Sequence, residues 1–318
     1  MAIKIIIPTP TLGGVPNEED IIGEKFNSLI EIYGPEGLTG EEQLVDGVPG
    51  FFHTGTAALL NSFPETIHGI LIAGTTGEGP VFGINQFRAI VGSHLKHCPS
   101  HLVPYVGILG GDDMVAKQIE EAQALGARNF VLGLNHTGDN RKRFCEAIAA
   151  LNSDSSIWLY NMPTFRPVDL DFIRECMKDS RVKGIKDSSG KLVDFQALLG
   201  LRKERSDFEI YLGSEPLAVE LTEDERAIFE GIIAGNANIN PQLLAEYTNN
   251  PQKYRIARQK LHNQIHSLSR IDDDKDSQGN IRNHLHGFKI QAQSIEGIDH
   301  RHVVMYSKRK SLFTPHSG

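Results

Sequence analysis

Eight short apolar runs rich in β-branched residues recur along the chain, at residues 3–7, 69–73, 102–106, 129–132, 157–160, 182–186, 208–212 and 231–234. From the second run onward they follow one another at intervals of roughly 22 to 35 residues, enough for a strand, a turn and a helix that carries the chain back beside its own start. A chain with that period has few ways to bury its strands.

The segments between the runs carry helix punctuation. After Asp112 and Asp113, the residues Val115, Ile119, Ala122 and Leu125 share one face and Gly126 closes the segment. Asp169 stands where it can cap a helix burying Phe172, Ile173, Cys176 and Met177. Asn140 precedes a segment burying Phe144, Ala147, Ile148 and Leu151, and Asn240-Pro241 has the form of an N-cap with proline at the first helical position. Strand followed by helix, eight times, predicts an α/β fold of the (β/α)8 TIM-barrel type. A doubly wound open sheet shares the alternation and differs in whether the sheet closes. The barrel is expected to take residues 1–245, with an irregular insertion near 17–49, where glycines and acids are frequent and periodicity is weak. Residues 246–318 are expected to form a C-terminal helical segment packed on the barrel, interrupted by a polar loop around 271–283.

Composition narrows the partner. The 318 residues are 40% hydrophobic, ample for a substantial core. A net charge of -8, from 32 basic and 40 acidic residues, gives no electrostatic attraction for nucleic acid, so a small-molecule partner is expected. Cys98, Cys145 and Cys176 are too few and too scattered for a disulfide framework or a zinc site. Residues 1–8 are too short in their apolar part for a signal peptide, and no run approaches membrane-spanning length. A cytoplasmic protein with no membrane contact is expected.

In a parallel barrel, chemistry belongs at the C-terminal ends of the strands. The residues falling there are Gly74-Thr75-Thr76-Gly77-Glu78, residues 107–111, Asn135-His136-Thr137, Tyr160-Asn161, Lys186, Gly213-Ser214-Glu215 and Gly235-Asn236. Lys186 ends the buried run 182–186 where it opens into Asp187-Ser188-Ser189-Gly190. An amine desolvated at such a place loses its proton more easily than a surface lysine and can attack a carbonyl to form a Schiff base. Thr75 and Thr76, between glycines, offer hydroxyl and backbone donors to a small carboxylate. Tyr160 can serve as acid and base beside a reacting oxygen.

Three motifs in this order, Gly74-Thr75-Thr76-Gly77-Glu78, Tyr160-Asn161-Met162-Pro163 and Gly184-Ile185-Lys186-Asp187, resemble those of the dihydrodipicolinate synthase and N-acetylneuraminate lyase family of pyruvate-dependent class I aldolases. The segment 231–238 resembles the family's last barrel strand, and the likeness runs from about residue 66 to 245. It implies that Lys186 is the Schiff-base lysine, Tyr160 the proton donor and acceptor, and Thr75 with Thr76 the site of the pyruvate carboxylate. It also implies that Ile233 lines the site through its backbone carbonyl, and that Ser188 and Glu215 meet the rest of the substrate. No cofactor or metal is implied, and a homotetramer or dimer is the expected assembly.

The chain departs from the family pattern in two places. Leu134-Asn135-His136-Thr137-Gly138 stands where a Pro-Tyr-Tyr motif is usual, leaving His136 or Thr137 as the residues that could replace its second tyrosine. Phe165 occupies the position of the synthases' carboxylate-binding arginine, and Arg166 follows one residue later. Both changes fall on the side of the second substrate, so pyruvate binding is better supported than dihydrodipicolinate synthesis. The readings are therefore a synthase-like lyase or aldolase, an N-acetylneuraminate or 2-keto-3-deoxy sugar acid lyase, and a non-catalytic member that binds a 2-oxo acid. A barrel isomerase or phosphate-binding enzyme would use Lys186 only as a charge.

Weaker motifs carry less. Residues 274–281 imitate the start of an EF-hand loop, but Leu285 stands where the bidentate glutamate belongs, and a solvated loop is expected. The paired histidines His284, His286, His300 and His302 lack a third metal ligand at a suitable spacing, and Lys308-Arg309-Lys310 reads as a solvated end.

Overall fold

The structure, a computed structural model, describes residues 4–9, 53–77, 79–134, 139–161, 169–218, 220–233, 235–238 and 256. Among these, eight parallel strands close into a barrel in sequence order. They are β1 (Lys4–Pro8), β2 (Gly69–Ile72), β3 (Val103–Ile108), β4 (Asn129–Gly133), β5 (Ser156–Asn161), β6 (Val182–Asp187), β7 (Glu209–Leu212) and β8 (Gly231–Ile233). Each coincides with one of the eight apolar runs, and the pairing of β1 with β8, Ile5 opposite Ile232, closes the ring that an open sheet would leave unjoined.

Helices follow the strands on the outside: α1 (His53–Asn61), α2 (Ile84–His97), α3 (Val115–Ala124), α4 (Asn140–Ala150), α5 (Leu170–Cys176), α6 (Leu192–Gly200), α7 (Glu215–Ala218) and α8 (Glu223–Ile228). Helix α3 ends as its sequence predicts. Gly126 has φ +97, and the bonds Ala127 N to Ala122 O and Gly126 N to Gln123 O form a Schellman cap that only a residue at ease with positive φ can make cheaply. Asp169 caps α5 as expected, accepting from the N–H groups of Asp171 and Phe172. At α4 the cap is Asp139 rather than Asn140: the extended backbone of Asp139 lets its carboxylate accept from Arg141 N at 2.9 Å and Lys142 N at 3.2 Å, while Asn140 is already helical. The Asn240-Pro241 cap, the insertion near 17–49 and, apart from Ile256, the segment 246–318 lie outside the described residues.

Strand alternation divides the core in two. Ile6, Leu71, Tyr105, Val131, Trp158, Tyr160, Tyr211 and Ile233 fill the lumen. Their sequence neighbours, among them Ile5, Ile70, Phe130, Leu132, Leu159, Ile185 and Ile210, pack outward against the helices. Phe87, Phe130, Phe195 and Phe208 are fully buried in that outer layer. Each contributes about 1.5–3 kcal/mol, and truncating one to alanine would cost about 3–5 kcal/mol.

A polar network closes the N-terminal end of the barrel. Lys4 Nζ lies 3.1 Å from Glu209 Oε1 and 2.8 Å from Glu230 Oε1. Trp158 Nε1 and the Tyr211 hydroxyl donate to Glu209 Oε2 at 2.8 and 3.2 Å. With that end plugged by charge and by the Tyr105–Trp158 ring pair (centroids 5.0 Å apart), the C-terminal end is where a ligand can enter the lumen. All three cysteines are free, and burial pushes the Cys98 and Cys176 thiols up to about 11 and about 12. Among the described residues no helix is long and apolar enough to cross a membrane.

Candidate active site

The site begins with an irregularity in the pairing of β5 and β6. Ile157 pairs with Val182, but Trp158 pairs with Gly184, so Lys183 is an extra residue on β6. A bulge of this kind exchanges the inward and outward faces of everything beyond it. Val182 packs outward; past the bulge Ile185 is again outward and Lys186 faces the lumen. Lys186 then stands opposite Tyr160 on β5 and Tyr211 on β7, both lumen residues.

The outcome is a buried pair. Lys186 is 4% exposed, Tyr160 is 3% exposed, and Lys186 Nζ sits 4.0 Å from the centre of the Tyr160 ring. Burial alone would push the Tyr160 phenol up. The positive charge of Lys186, with the side chains of Thr75, Ser188 and Lys186 facing the hydroxyl, outweighs it and holds the phenol below its ordinary value. A phenol that ionises readily beside an amine is a competent partner for moving protons on and off a reacting oxygen.

The loop after β2 brings Thr75 to this pair by an uncommon backbone path. Ala73 has φ 51, a left-handed conformation that costs a residue with a Cβ about 1 kcal/mol. Its carbonyl oxygen is wedged against two glycines: a Cβ on Gly107 would come within 2.6 Å of it, and one on Gly79 would collide with it outright. Gly79 N also donates to Gly74 O at 3.0 Å, closing the loop that carries both threonines. Thr75 and Thr76 are half-buried there, with Thr75 directed at Tyr160.

Gly213, at the exit of β7, is a point of close approach. A Cβ there would overlap Ser188 Oγ and lie 2.8 Å from Lys186 Cε, so the serine hydroxyl and the lysine stem converge above it. Lys186, Tyr160, Thr75 and Ser188, from three separate stretches of the chain, thus meet at one place. Ile233 ends β8 among the lumen residues, and Glu215 opens α7. His136, Thr137, Phe165 and Arg166 lie outside the described residues.

Three polar residues that sequence reasoning left without a role also hold this mouth together. Arg143 on α4 is 2% exposed and donates to Gly133 O (2.7 Å), Gly110 O (2.9 Å), Asp112 Oδ1 (3.0 Å) and Ile108 O (3.0 Å), tying the ends of β3 and β4. Burial lowers its pKa, and Asp112 opposes that shift. Asn161 and Asp187 join the ends of β5 and β6 through Asn161 Nδ2 to Asp187 Oδ1 at 2.5 Å. For Asn161 and Asp187 one signal was present, a polar side chain at the end of an otherwise buried strand, where it must have a partner; Arg143, on a helix with few buried residues, carried none.

The sequence model of the dihydrodipicolinate synthetase family matches residues 62–286. The chain belongs to that family. It is 27% identical over 190 residues to a 4-hydroxy-tetrahydrodipicolinate synthase of Kosmotoga olearia, a match covering 57% of this chain and 63% of that one, so the chain spans less than two thirds of that relative's length. Among solved structures, a dihydrodipicolinate synthase from Bacteroides thetaiotaomicron superposes with TM-score 0.68 at 20% identity, over 94% of this chain and 91% of that one. A sialic acid aldolase of Ruminococcus gnavus gives TM-score 0.66 at 16% identity, over 93% and 87%. A prophage protein of the dihydrodipicolinic acid synthase family from E. coli K12, in complex with pyruvate, gives 0.64 at 16%, over 91% and 88%. At these identities the likeness to the solved structures is one of fold.

Proposed function

We propose that this protein is a Schiff-base-forming lyase of the class I aldolase type, acting on pyruvate or a related 2-oxo acid. One observation carries the reading: the buried Lys186 nitrogen 4.0 Å above the ring of the buried Tyr160. Family membership supports it, as does the presence of a sialic acid aldolase and a pyruvate-bound family member among proteins of the same fold.

Lys186 Nζ attacks the keto carbon, the carbonyl oxygen takes up protons and leaves as water, and an iminium ion remains. Its positive nitrogen draws electrons from the adjacent carbon, which gives up a proton to form an enamine. The enamine carbon attacks an aldehyde carbon, making a carbon–carbon bond, while the Tyr160 hydroxyl protonates the aldehyde oxygen; the same steps reversed cleave that bond. Hydrolysis of the imine returns Lys186. Thr75 and Thr76, with the backbone N–H groups of the loop, hold the 2-oxo acid's carboxylate, the Thr75 side chain also facing the Tyr160 hydroxyl, and the carbonyl of Ile233 lines the site. Ser188 and Glu215 are assigned to the remainder of the substrate. The reading includes a cytoplasmic location and assembly as a homotetramer or dimer.

The Ser188 hydroxyl beside the lysine stem favours a hydroxylated second substrate, so a 2-keto-3-deoxy sugar acid or N-acetylneuraminate is the second candidate for assay. The deciding experiment is incubation with pyruvate followed by borohydride reduction and peptide mass spectrometry. A reduced imine on the peptide bearing Lys186 supports the reading, and a folded protein without that adduct would sink it.

A further inference from the structure

Asp187 is fully buried, yet the chemistry above makes no use of it. Its Oδ1 accepts from Asn161 Nδ2 at 2.5 Å and from Ser189 N at 3.2 Å, and its Oδ2 accepts from Ser189 Oγ at 2.8 Å. Its backbone oxygen accepts from Gly213 N at 2.6 Å, and Ser188 N donates to Asn161 O at 3.0 Å. One residue therefore joins the ends of β5, β6 and β7. Asn161 and Asp187 are register partners one step beyond Tyr160 and Lys186, which are register partners themselves. Because successive side chains alternate across a strand, the first pair lies outside the lumen and the second inside.

We propose that Asn161 and Asp187 form a positioning clasp that keeps Lys186 against Tyr160; the inference rests on the reading of that pair as the reacting one. Strand β6 reaches this register through the extra residue Lys183, and a one-residue shift of its end would exchange the faces of its side chains. A slip would turn Lys186 out of the lumen and Asp187 into it. The clasp opposes this because slipping takes the buried Asn161 amide from its acceptor and leaves the carboxylate with Ser189 alone, a larger penalty than losing a solvent-exposed hydrogen bond. Neither residue touches substrate, so both act through the pair they position.

The test uses the full chain and the variants Asn161→Ala, Asp187→Ala, Asp187→Asn and the double alanine variant. The Tyr160 phenol is titrated by ultraviolet difference against Tyr160→Phe in each background, without substrate, and kcat and KM for pyruvate are measured alongside. In Asn161→Ala the phenol is expected to titrate at higher pH than in the parent, because Lys186 no longer holds it down. There kcat should fall about tenfold or more with KM for pyruvate little changed, as misplacing a catalytic group by a fraction of its reach does. Asp187→Asn keeps an acceptor for Asn161 and should recover part of the loss, and the double variant should be no worse than the poorer single one. An unchanged phenol titration in Asn161→Ala, a rise in KM alone, or losses that add in the double variant would each overturn the clasp. Should Asp187→Ala fail to fold, Asn161→Ala and Asp187→Asn decide the matter. Should the parent protein form no pyruvate adduct, the proposed reaction is lost while the phenol titration still judges the clasp.

Discussion

Lys186 Nζ lies 4.0 Å from the centre of the Tyr160 ring, and the two residues stand opposite each other on β5 and β6. The ring and the hydroxyl of Tyr160 therefore have separable tasks. The ring lies against the lysine nitrogen in the lumen, and in the proposed reaction the hydroxyl carries protons. Replacing Tyr160 by phenylalanine keeps the first and removes the second. Turnover is expected to fall about 10²–10⁴-fold while borohydride trapping with pyruvate still labels Lys186, and the thermal midpoint should move little. Steady-state kinetics beside a trapping assay check this, and a fully active Tyr160→Phe protein would refute the assignment.

Gly213 has no room for a side chain, because a Cβ would overlap Ser188 Oγ and lie 2.8 Å from Lys186 Cε. The serine hydroxyl can rotate away, but the lysine stem must shift. In Gly213→Ala the rate of adduct formation at Lys186 is expected to drop about tenfold or more, by the same sensitivity to misplacement. Gly200, at the end of α6, has nothing within 4 Å of its would-be Cβ and serves as the contrast. Gly200→Ala should leave trapping unchanged and raise stability by about 0.4–1 kcal/mol through the unfolded chain. Trapping rates and urea denaturation on both proteins read out the difference.

Arg143 joins Ile108, Gly110 and Gly133 through their carbonyls and Asp112 through its carboxylate. In Arg143→Met these buried acceptors lose their donors. At about 1–3 kcal/mol for each unsatisfied buried group, with some relief from entering water, the expected destabilisation is about 3 kcal/mol or more. Arg143→Lys keeps the charge but not the planar fork and should recover only part of that. A urea-denaturation midpoint equal to the parent's in Arg143→Met would rule the clamp out.

Lys4 titrates above its ordinary value. Burial alone would lower it, but hydrogen bonds to Glu230 and Glu209 and their charges raise it further than burial lowers it. A lysine bound more tightly to its proton in the folded state contributes stability that is complete below its ordinary, unfolded pKa of 10.5 and is lost as pH rises through the folded pKa. The stability difference between the parent and Lys4→Met should therefore be constant at neutral and mildly alkaline pH and shrink only above that value. Denaturation curves across the alkaline range check the sign; a difference that grows with pH would contradict it.

Most of the barrel is legible along the chain because strand and helix signals are local. The eight runs mark the strands, Gly126 marks a helix end and Asp169 a helix start, each readable from its immediate neighbours. Lys186, Tyr160 and Thr75 are likewise legible as strand-end residues with suitable chemistry. Arg143 is not, because its partners belong to β3, β4 and the loop between β3 and α3, and an arginine on a helix looks like any solvated one until those carbonyls surround it.

What the sequence determined by itself is therefore the repeating βα architecture, the candidate side chains for the proposed chemistry and the strand ends that carry them. What only the tertiary structure decided is which way those side chains face. The extra residue at Lys183 reverses the faces of β6, and nothing in the order of residues 182–187 announces it, since a bulge exists only relative to the strand beside it. The same holds for Asn161 and Asp187, whose bond depends on register. Register is a relation between two strands, and closing the barrel is what sets it.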